Sequence, residues 1–251
     1  MKSPYELLKA KTEDEQKQIV EGLDLATVKA MSERAWWFMA RPEQLPPQGA
    51  WSVWLLLAGR GFGKTRTSAE WLAQEVIDQP KAPDDTPTEW AIVAETFGDC
   101  REVCVEGPSG ILLALERYGW IRGENLSYNR SSWQITLATG QRIHMLSADD
   151  KDVGRGLNLA GVWCDEIAKW RYPWESWTEG LAPALRIGRH PRAIISTTPK
   201  PNKLLIDWLA REDGSVAVTR GSTFDNAANL SPAALKELSA RYEGTRLGQQ
   251  E

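Results

Sequence analysis

The sequence predicts an α/β fold, in which a mainly parallel sheet is flanked by helices. Two observations predict it. Short apolar runs alternate along the chain with longer stretches whose apolar residues recur at helical spacing. One apolar run, residues 54–57, leads directly into a glycine-rich loop and then into a helical pattern. Strands that alternate with helices pair in parallel, because each right-handed crossover returns the chain to the same edge of the sheet.

Five apolar runs are predicted as the buried strands of this sheet. A strand that is covered by helices on both faces carries apolar side chains at most positions, rather than at alternate ones. In chain order the runs lie at residues 52–57, 89–94, 160–164, 193–196 and 216–219.

Residues 132–146 are predicted to form a hairpin. Apolar and polar side chains alternate over residues 132–137 and again over 142–146, which is typical of half-buried strands. The four residues between them include Gly140 and form the turn.

Helices are predicted between the strands and at both ends of the chain. Residues 4–40 read as two or three short amphipathic helices, and the proline-rich stretch 41–49 ends them because proline cannot continue a helix. Ser231 and Pro232 are favourable as the N-cap and the first position of a final helix. The core helices span residues 67–79, 97–105, 111–118, 174–185 and 203–211, and the final helix spans 232–241.

Composition excludes several classes of protein. With 30 basic and 34 acidic residues the net charge is −4, so the chain does not coat nucleic acid through its overall charge. No apolar run reaches the length of a membrane span and the N-terminus does not resemble a signal peptide, which indicates a cytoplasmic protein. The 13 tryptophans are expected to pack in the core rather than to stack on bases.

The cysteines indicate neither a disulfide framework nor a metal site. There are only 3 of them, and they are scattered along the chain. Cys100 and Cys104 have helical spacing, but the histidines, His144 and His190, are distant in sequence. We therefore expect buried thiols rather than a zinc site.

Residues 58–65 carry the strongest functional signal. They read Ala-Gly-Arg-Gly-Phe-Gly-Lys-Thr and follow the phosphate-binding pattern Gly-x4-Gly-Lys-[Ser/Thr], with Ala58 at the first glycine position. Small residues let successive backbone N–H groups turn toward phosphate oxygens. The residues that allow this are Gly59, Gly61 and Gly63. The sequence therefore predicts a nucleoside triphosphatase.

Three side chains of this loop have predicted roles in nucleotide binding. Lys64 supplies a positive charge for the phosphates, and the Thr65 hydroxyl suits a Mg²⁺ ligand. The Arg60 guanidinium can reach terminal phosphate oxygens with two parallel hydrogen bonds. The helix that follows the loop directs the positive end of its dipole at the anion.

Two adjacent carboxylates follow a later predicted strand. Asp165 is predicted to hold Mg²⁺, and Glu166 is predicted to orient or deprotonate the attacking water. A small-molecule kinase needs no water-activating carboxylate, so the pair favours a hydrolase. Thr197 and Thr198 follow a further strand at the same edge of the sheet, where ligands of open α/β sheets bind. We predict that they contact the terminal phosphate or its water.

Two further arginines are candidates for catalysis. Arg155 lies between glycines in a loop before the Asp165 strand, where it can reach the nucleotide of a neighbouring subunit as an arginine finger. Arg101, after the second strand, is the weaker candidate. The alternative for both, as for Arg60, is a surface ion pair.

Five motifs occur together and in order along the chain. They are Arg41-x-x-Gln44, the loop 58–65, the Asp165-Glu166 strand end, the Ser-Thr-Thr-Pro stretch 196–199 and the closing segment 242–251. Over roughly residues 35–251 they resemble the ATPase domain of a large terminase subunit, the motor that packages DNA in tailed bacteriophages and prophages.

The resemblance implies a role for each motif. Arg41 and Gln44 match the adenine-recognition motif of the family, and Thr197 and Thr198 match its coupling motif. The phosphate, metal and catalytic contacts are matched by Arg60, Lys64, Thr65, Asp165 and Glu166. Arg155 falls where some members carry the finger that acts across subunits.

The resemblance also implies an architecture, cofactors and partners. The fold is an additional-strand P-loop ATPase, with a helical segment at residues 1–40, a core at 41–220 and a lid and linker at 221–251. ATP and Mg²⁺ are the implied cofactors. The implied partners are double-stranded DNA, a portal protein and a small terminase subunit. The active motor is a ring, usually of five copies, in the host cytoplasm and without a membrane, while the isolated chain can be a monomer.

One departure from the family pattern concerns a second activity. Family members usually continue into a nuclease domain, and the sequence carries no second cluster of carboxylates at strand ends. We therefore expect no nuclease activity within residues 1–251 and suspect a truncated chain, with a natural split gene as the alternative. The alternatives to a packaging motor are a helicase or repair-type DNA translocase, and an assembly module that binds nucleotide without translocating.

Overall fold

A computed structural model describes residues 12–22, 36–231 and 233 of the chain. The chain divides into two compact units, Met1–Arg41 and Pro42–Glu251. In the first unit, helix α1 spans Glu13–Glu21 and helix α2 spans Trp36–Met39. A capping box fixes the start of α1, because the backbone N–H of Thr12 donates to Glu15 Oε2 (2.9 Å) and the N–H of Glu15 donates to Thr12 Oγ1 (3.4 Å).

The second unit alternates strands with helices. Its strands are β1 (Val53–Ala58), β2 (Glu89–Ala94), β3 (Leu126–Asn129), β4 (Gln134–Leu137), β5 (Arg142–Ser147), β6 (Gly161–Asp165), β7 (Arg192–Thr197) and β8 (Val216–Gly221). Its α-helices are α3 (Lys64–Asp78), α4 (Phe97–Asp99), α5 (Ile111–Arg117), α6 (Pro173–Glu175), α7 (Ala182–Ala184) and α8 (Lys203–Leu209). Two π-helices, Cys100–Val105 and Ser176–Leu181, continue α4 and α6. Short 3-10 helices lie at Pro42–Gln44, Ile167–Lys169 and Thr223–Asn229.

The strands form one sheet in the order β3-β4-β5-β2-β6-β7-β1-β8. The six strands from β5 to β8 in this order pair in parallel, and the β4 and β3 strands extend the sheet in antiparallel fashion. The parallel sheet that the sequence predicts is confirmed. Strand β7 lies between β1 and β6, so the strand that leads to the glycine-rich loop and the strand that ends in Asp165 are separated by one additional strand.

The sheet is packed on both faces. Every residue of β1 is buried, with Trp54 in the core on one face and Leu55 in the core on the other. Helix α3 covers the Trp54 face and helix α8 covers the Leu55 face. Trp54 and Trp163 are fully buried, and burial of such large rings is a main stabilising contribution to a core of this kind.

Most predicted elements are present, and three differ from the prediction. The hairpin of β4 and β5 is confirmed, but the short strand β3, which extends it, was not predicted. The predicted helix over residues 174–185 is present as a continuous helical stretch over 173–184, but residues 176–181 within it form a π-helix between α6 and α7. The predicted helix over 97–105 becomes a π-helix after Asp99, and the final helix at 232–241 lies outside the described residues, apart from residue 233.

The cysteines are buried thiols, as expected. Burial raises the pKa of Cys100 to about 12 and raises the pKa of Cys104 and of Cys164 as well. Among the described residues, no helix is long and apolar enough to cross a bilayer.

Candidate functional site

The glycine-rich loop leaves the sheet at the end of β1, beside the ends of β7 and β6. Gly61 has φ +74° and Gly63 has φ +102°, a left-handed backbone that side chains other than glycine rarely adopt. Gly63 is also the N-cap of α3, and a Cβ atom there would lie 2.8 Å from Nε2 of Gln44. The glycines therefore give the loop its curvature and let it approach its neighbours closely.

Lys64 links the loop to the strand that carries the acidic pair. The residue is 8% exposed, and its ammonium donates to the carbonyl oxygens of Ala58 (2.8 Å) and Gly59 (3.0 Å). It also lies 3.6 Å from Oε1 of Glu166. A cation and a carboxylate from segments about a hundred residues apart thus meet at one edge of the sheet.

Glu166 is held in an unusual backbone conformation. It has φ +48° and ψ +45°, the left-handed region, and its N–H donates to the carbonyl of Ser196 (2.6 Å). Its Oε2 accepts hydrogen bonds from the hydroxyl (3.0 Å) and the N–H (3.3 Å) of Thr198. The strained residue therefore directs its carboxylate between the loop lysine and the segment after β7.

Asp165 is buried at the end of β6 and is fixed by a chain of two hydrogen bonds. The Ser196 hydroxyl donates to Oδ1 of Asp165 (2.7 Å), and the indole N–H of Trp163 donates to the same hydroxyl oxygen (3.0 Å). Burial raises the pKa of Asp165 to about 6, while the hydrogen bond from Ser196 opposes that shift. The nearby Glu166 raises the pKa further, and Lys64 lowers it.

Thr197 joins the loops that follow β6 and β7. It is fully buried, and its hydroxyl oxygen accepts a hydrogen bond from the N–H of Ala168 (3.2 Å), in the turn after Glu166. The same hydroxyl donates to the carbonyl of Thr198 (3.2 Å). A shift of the turn after Glu166 would therefore alter this hydrogen bond at the end of β7.

The side chains at this edge fit a magnesium ion held together with a phosphate. Mg²⁺ is usually bound by one or two carboxylates and substrate phosphates, with oxygen donors throughout. Asp165 supplies the carboxylate, and Thr65, in the first turn of α3, supplies a hydroxyl. In the part of the chain that is described, no group of three or more His, Cys, Asp or Glu side chains is arranged to hold a metal without such help.

Gln44 approaches the loop from the segment before β1. It is 5% exposed, and its Nε2 donates to the hydroxyl of Thr67 (3.0 Å), which in turn donates to the carbonyl of Gly63 (3.1 Å). The predicted adenine-binding glutamine is thus in contact with the base of the loop. Arg41, the other residue of the predicted adenine-recognition motif, belongs to the first compact unit and is half-buried.

The candidate arginines lie in three different settings. Arg60 is exposed in the loop, and its carbonyl accepts a hydrogen bond from Thr223. Arg155 is half-exposed and pairs with Asp152 and Glu179, each at 2.9 Å. The structure therefore gives Arg155 partners on its own loop and on the π-helix after α6. Arg101 pairs with Glu102 (2.8 Å), which matches the surface ion pair considered as its alternative.

Four contacts of the site were not predicted from the sequence. Ser196 and Trp163 hold Asp165, and Thr223 and Asn226 contact carbonyl groups of the loop. A polar residue inside an apolar strand, as Ser196 is in β7, was the one available signal. Thr223 lies more than 150 positions from the loop in sequence, so no local pattern could reveal its contact.

The arrangement has the elements that metal-assisted attack of water on a phosphate requires. A buried ammonium and a loop of glycines can hold a polyphosphate. The carboxylate at the end of β6 and the hydroxyl in the first turn of α3 are ligand types suited to a cation, and a second carboxylate, 3.6 Å from the ammonium, can orient water.

Comparison of the sequence with known proteins identifies one matching family. The sequence model for the N-terminal part of the large terminase subunit of T4-like viruses matches residues 55–251. Among curated protein sequences no relative reaches significance.

Solved structures with a similar fold include two phage large terminases. The large terminase of a thermophilic bacteriophage, in complex with ADP, has a TM-score of 0.59 and 17% identity, over 86% of this chain and 50% of that one. The large terminase ATPase domain of Thermus phage P74-26 has a TM-score of 0.59 and 16% identity, over 85% of this chain and 94% of that one. The chain thus spans half the length of the first protein, and at these identities the likeness shows the fold.

Proposed function

The chain belongs to the family of large terminase subunits of the T4-like type, as the N-terminal part, and from this membership we propose that it hydrolyses ATP with Mg²⁺ to drive double-stranded DNA into a procapsid. The fold relative that was solved in complex with ADP supports nucleotide as the ligand. Double-stranded DNA, a portal protein, a small terminase subunit and further copies of the chain are the proposed partners.

One observation carries the proposal. The Lys64 ammonium lies 3.6 Å from Glu166, whose other carboxylate oxygen accepts from Thr198. One edge of the sheet thus carries Lys64 as a phosphate-binding cation, Glu166 as a candidate general base and the hydroxyl of Thr198 just after β7. Structural ion pairs alone rarely require a strained backbone, and Glu166 adopts its left-handed conformation at this place.

In the proposed reaction each side chain has a distinct task. The loop amides and Lys64 hold the β- and γ-phosphates, and Arg60 offsets charge on the terminal phosphate. Glu166 accepts a proton from the attacking water and orients it in line with the scissile bond. Thr65 and Asp165 would hold Mg²⁺, which neutralises phosphate charge when bound.

Hydrolysis can be transmitted to the rest of the chain through Thr198. Its hydroxyl and N–H both donate to the Glu166 carboxylate, so a change in the charge or position of that group alters both bonds. Thr197 extends the connection to the turn after Glu166. We propose this pair as the coupling element of the motor.

The first prediction tests Glu166 as the catalytic base. Glu166→Gln removes the charge but keeps the shape of the side chain, so ATP binding should stay within about threefold while turnover falls about 100-fold or more. Binding is measured by calorimetry and turnover by phosphate release.

The matched control is Glu89→Gln. Glu89 begins β2 at the opposite edge of the sheet and also has basic partners, Arg142 (3.1 Å) and His144 (3.0 Å). The same chemical change there should leave turnover within about twofold. Equal losses of binding and turnover in Glu166→Gln, or full activity, would contradict the catalytic assignment.

DNA translocation needs a test of its own. ATP turnover of the chain is measured with DNA alone, with portal protein, and with procapsid and DNA together. A packaging motor should be stimulated most by procapsid and DNA, whereas a helicase-type translocase needs DNA alone. An assembly module would bind ATP without DNA-dependent turnover in any mixture.

A further inference from the structure

We propose that Thr223 and Asn226 are positioning residues that hold the phosphate-binding loop in its binding conformation and couple the segment 222–230 to the bound nucleotide. The inference rests on the proposed function of the loop and goes beyond it. It assigns a task to two side chains that lie after the last strand of the sheet and carry none of the predicted chemistry.

Both side chains donate to carbonyl groups of the loop. The hydroxyl of Thr223 donates to the carbonyl of Arg60 (2.6 Å), and Nδ2 of Asn226 donates to the carbonyl of Gly61 (2.6 Å). Thr223 is 2% exposed. The Oδ1 atom of Asn226 accepts from Nδ2 of Asn229 (2.9 Å), which orients the amide so that its nitrogen faces the loop.

These two bonds set the direction of the neighbouring N–H groups. In a trans peptide the C=O and the N–H point in opposite directions. A carbonyl of Arg60 that is turned toward Thr223 therefore directs the N–H of Gly61 to the other side of the loop. The next peptide behaves in the same way, since the N–H of Phe62 points across the loop toward the carbonyl of Gly59 (3.5 Å). The N–H groups of Gly61 and Phe62 thus point away from segment 222–230, and the proposed phosphate site lies on that other side of the loop.

The segment that carries the two donors is itself fixed. Ser222 and Asp225 form a capping box, in which the N–H of Ser222 donates to Oδ2 of Asp225 (2.7 Å). Just before it, the carbonyl of Gly221 accepts from the N–H of Gly59 (3.0 Å). A Cβ atom on Gly221 would lie 2.1 Å from the ring of Phe62, so the strand end and the loop are in direct contact.

Coupling between the two segments must be reciprocal. If segment 222–230 favours the binding conformation of the loop, then nucleotide that binds the loop stabilises the segment by the same free energy. Loss of the two bonds lowers the fraction of loops that are competent to bind, and the apparent affinity falls by that fraction.

The experiment compares ADP binding, in the presence of Mg²⁺, by calorimetry. Thr223→Val keeps the shape of the side chain and removes the hydroxyl, and Asn226→Ala removes the amide. We expect each variant to bind about threefold more weakly and the double variant about tenfold more weakly. Thr223→Ser restores the hydroxyl and should restore the affinity.

A matched control separates positioning from general destabilisation. The buried Thr88 also donates through its hydroxyl to a backbone carbonyl, that of Gln79 (2.6 Å), away from the loop. Thr88→Val should lower the stability of the fold but leave ADP affinity within about twofold. Equal weakening in Thr88→Val and Thr223→Val would overturn the inference.

Hydrogen exchange supplies a second measurement that a purely structural role would not change. In the wild-type chain, ADP should slow amide exchange in residues 222–230, and in the double variant this effect should disappear at saturating ADP. A wild-type chain that binds no ADP would sink the proposed function itself. Wild-type binding with unchanged affinity and protection in the double variant would sink only the positioning role.

Discussion

At the scale of single residues, Glu166 combines catalytic chemistry with backbone strain. A residue with a Cβ atom loses about 1–2 kcal/mol in the left-handed region, and glycine does not. Nothing in the apolar run before Glu166 requires that conformation. Its consequence is the approach of the carboxylate to Lys64 and Thr198.

The strain can be measured by comparing two truncations of Glu166. Both Glu166→Ala and Glu166→Gly remove the carboxylate, so they differ only in the Cβ methyl group, which disfavours the left-handed backbone. We expect the glycine variant to be more stable than the alanine variant by about 1 kcal/mol in urea denaturation. Glu175, with helical φ −64°, is the control, and there the alanine variant should be the more stable by about 1 kcal/mol. The same order at both positions would contradict the strain.

Trp163 is a second residue whose role is indirect. Its indole N–H occupies a lone pair of the Ser196 hydroxyl and leaves the hydroxyl proton for Asp165. Trp163→Phe should therefore weaken Mn²⁺ binding, measured with ADP present, by about tenfold.

Trp54→Phe provides the matched control for this prediction. Trp54 is equally buried in a neighbouring region of the sheet, and its indole N–H donates to the hydroxyl of Thr219 (2.9 Å), which belongs to the edge strand β8. The two variants should lose similar stability, and Mn²⁺ affinity should fall in Trp163→Phe alone. A similar fall in both would assign Trp163 a packing role.

At the scale of elements, the π-helix after α6 positions the loop that carries Arg155. Gly180 lies in this π-helix, and a Cβ atom there would be 2.1 Å from the carbonyl oxygen of Val153. The close approach explains why a glycine stands in the middle of a helical segment. The loop 152–155 and the π-helix therefore form one packed unit, joined also by the ion pair of Arg155 with Glu179.

This packing predicts the effect of a single methyl group. Gly180→Ala should lower the free energy of unfolding by about 1–3 kcal/mol, because the backbone of the loop must move to admit it. Gly98→Ala is the control, since a Cβ atom there meets only Thr96 Oγ1 at 3.5 Å and helix propensity favours alanine. Urea denaturation measures both. Equal stability of Gly180→Ala and wild type would show that the loop adapts without cost.

The elements that the sequence predicted well are those with a strong local pattern. The buried strands and the β4–β5 hairpin have one, because burial on one or both faces imposes it. Strand β3 escaped prediction because only Leu126 among its four residues is buried, and its position depends on pairing with β4. The π-helical turn at 176–181 could not be predicted, because it coincides with the approach of a loop distant in sequence to Gly180.

At the scale of the whole molecule, the proposed motor depends on contacts between copies. Arg155 pairs within its own chain with Asp152 and Glu179, and both it and its partners are partly exposed. We propose that Arg155 leaves these two partners and contacts the nucleotide of a neighbouring copy instead. In this way it would act in catalysis across subunits. The sequence could indicate such an arginine, but a single chain cannot place it beside another copy.

Mixing experiments test this action across subunits. With procapsid and DNA, Arg155→Ala should lower turnover on the order of 10³-fold, while an enforced monomer should be unaffected. Mixed with Glu166→Gln, it should regain activity, because some interfaces then combine an intact Glu166 with an intact Arg155. Glu179→Gln removes one of the two carboxylates that pair with Arg155 but keeps the guanidinium, and it should retain turnover. The same loss in the monomer would rule out the role in trans.

The contacts of the last strand have a practical consequence for dissecting the protein. Strand β8 pairs with β1 along its whole length, and Thr223 and Asn226 follow it directly to the glycine-rich loop. A fragment cut at residue 220 would lose the donors that hold two loop carbonyls, although every motif residue with assigned chemistry would remain. The shortest piece that retains the intact pocket therefore extends to about residue 230, and a fusion tag or fluorophore belongs beyond that point.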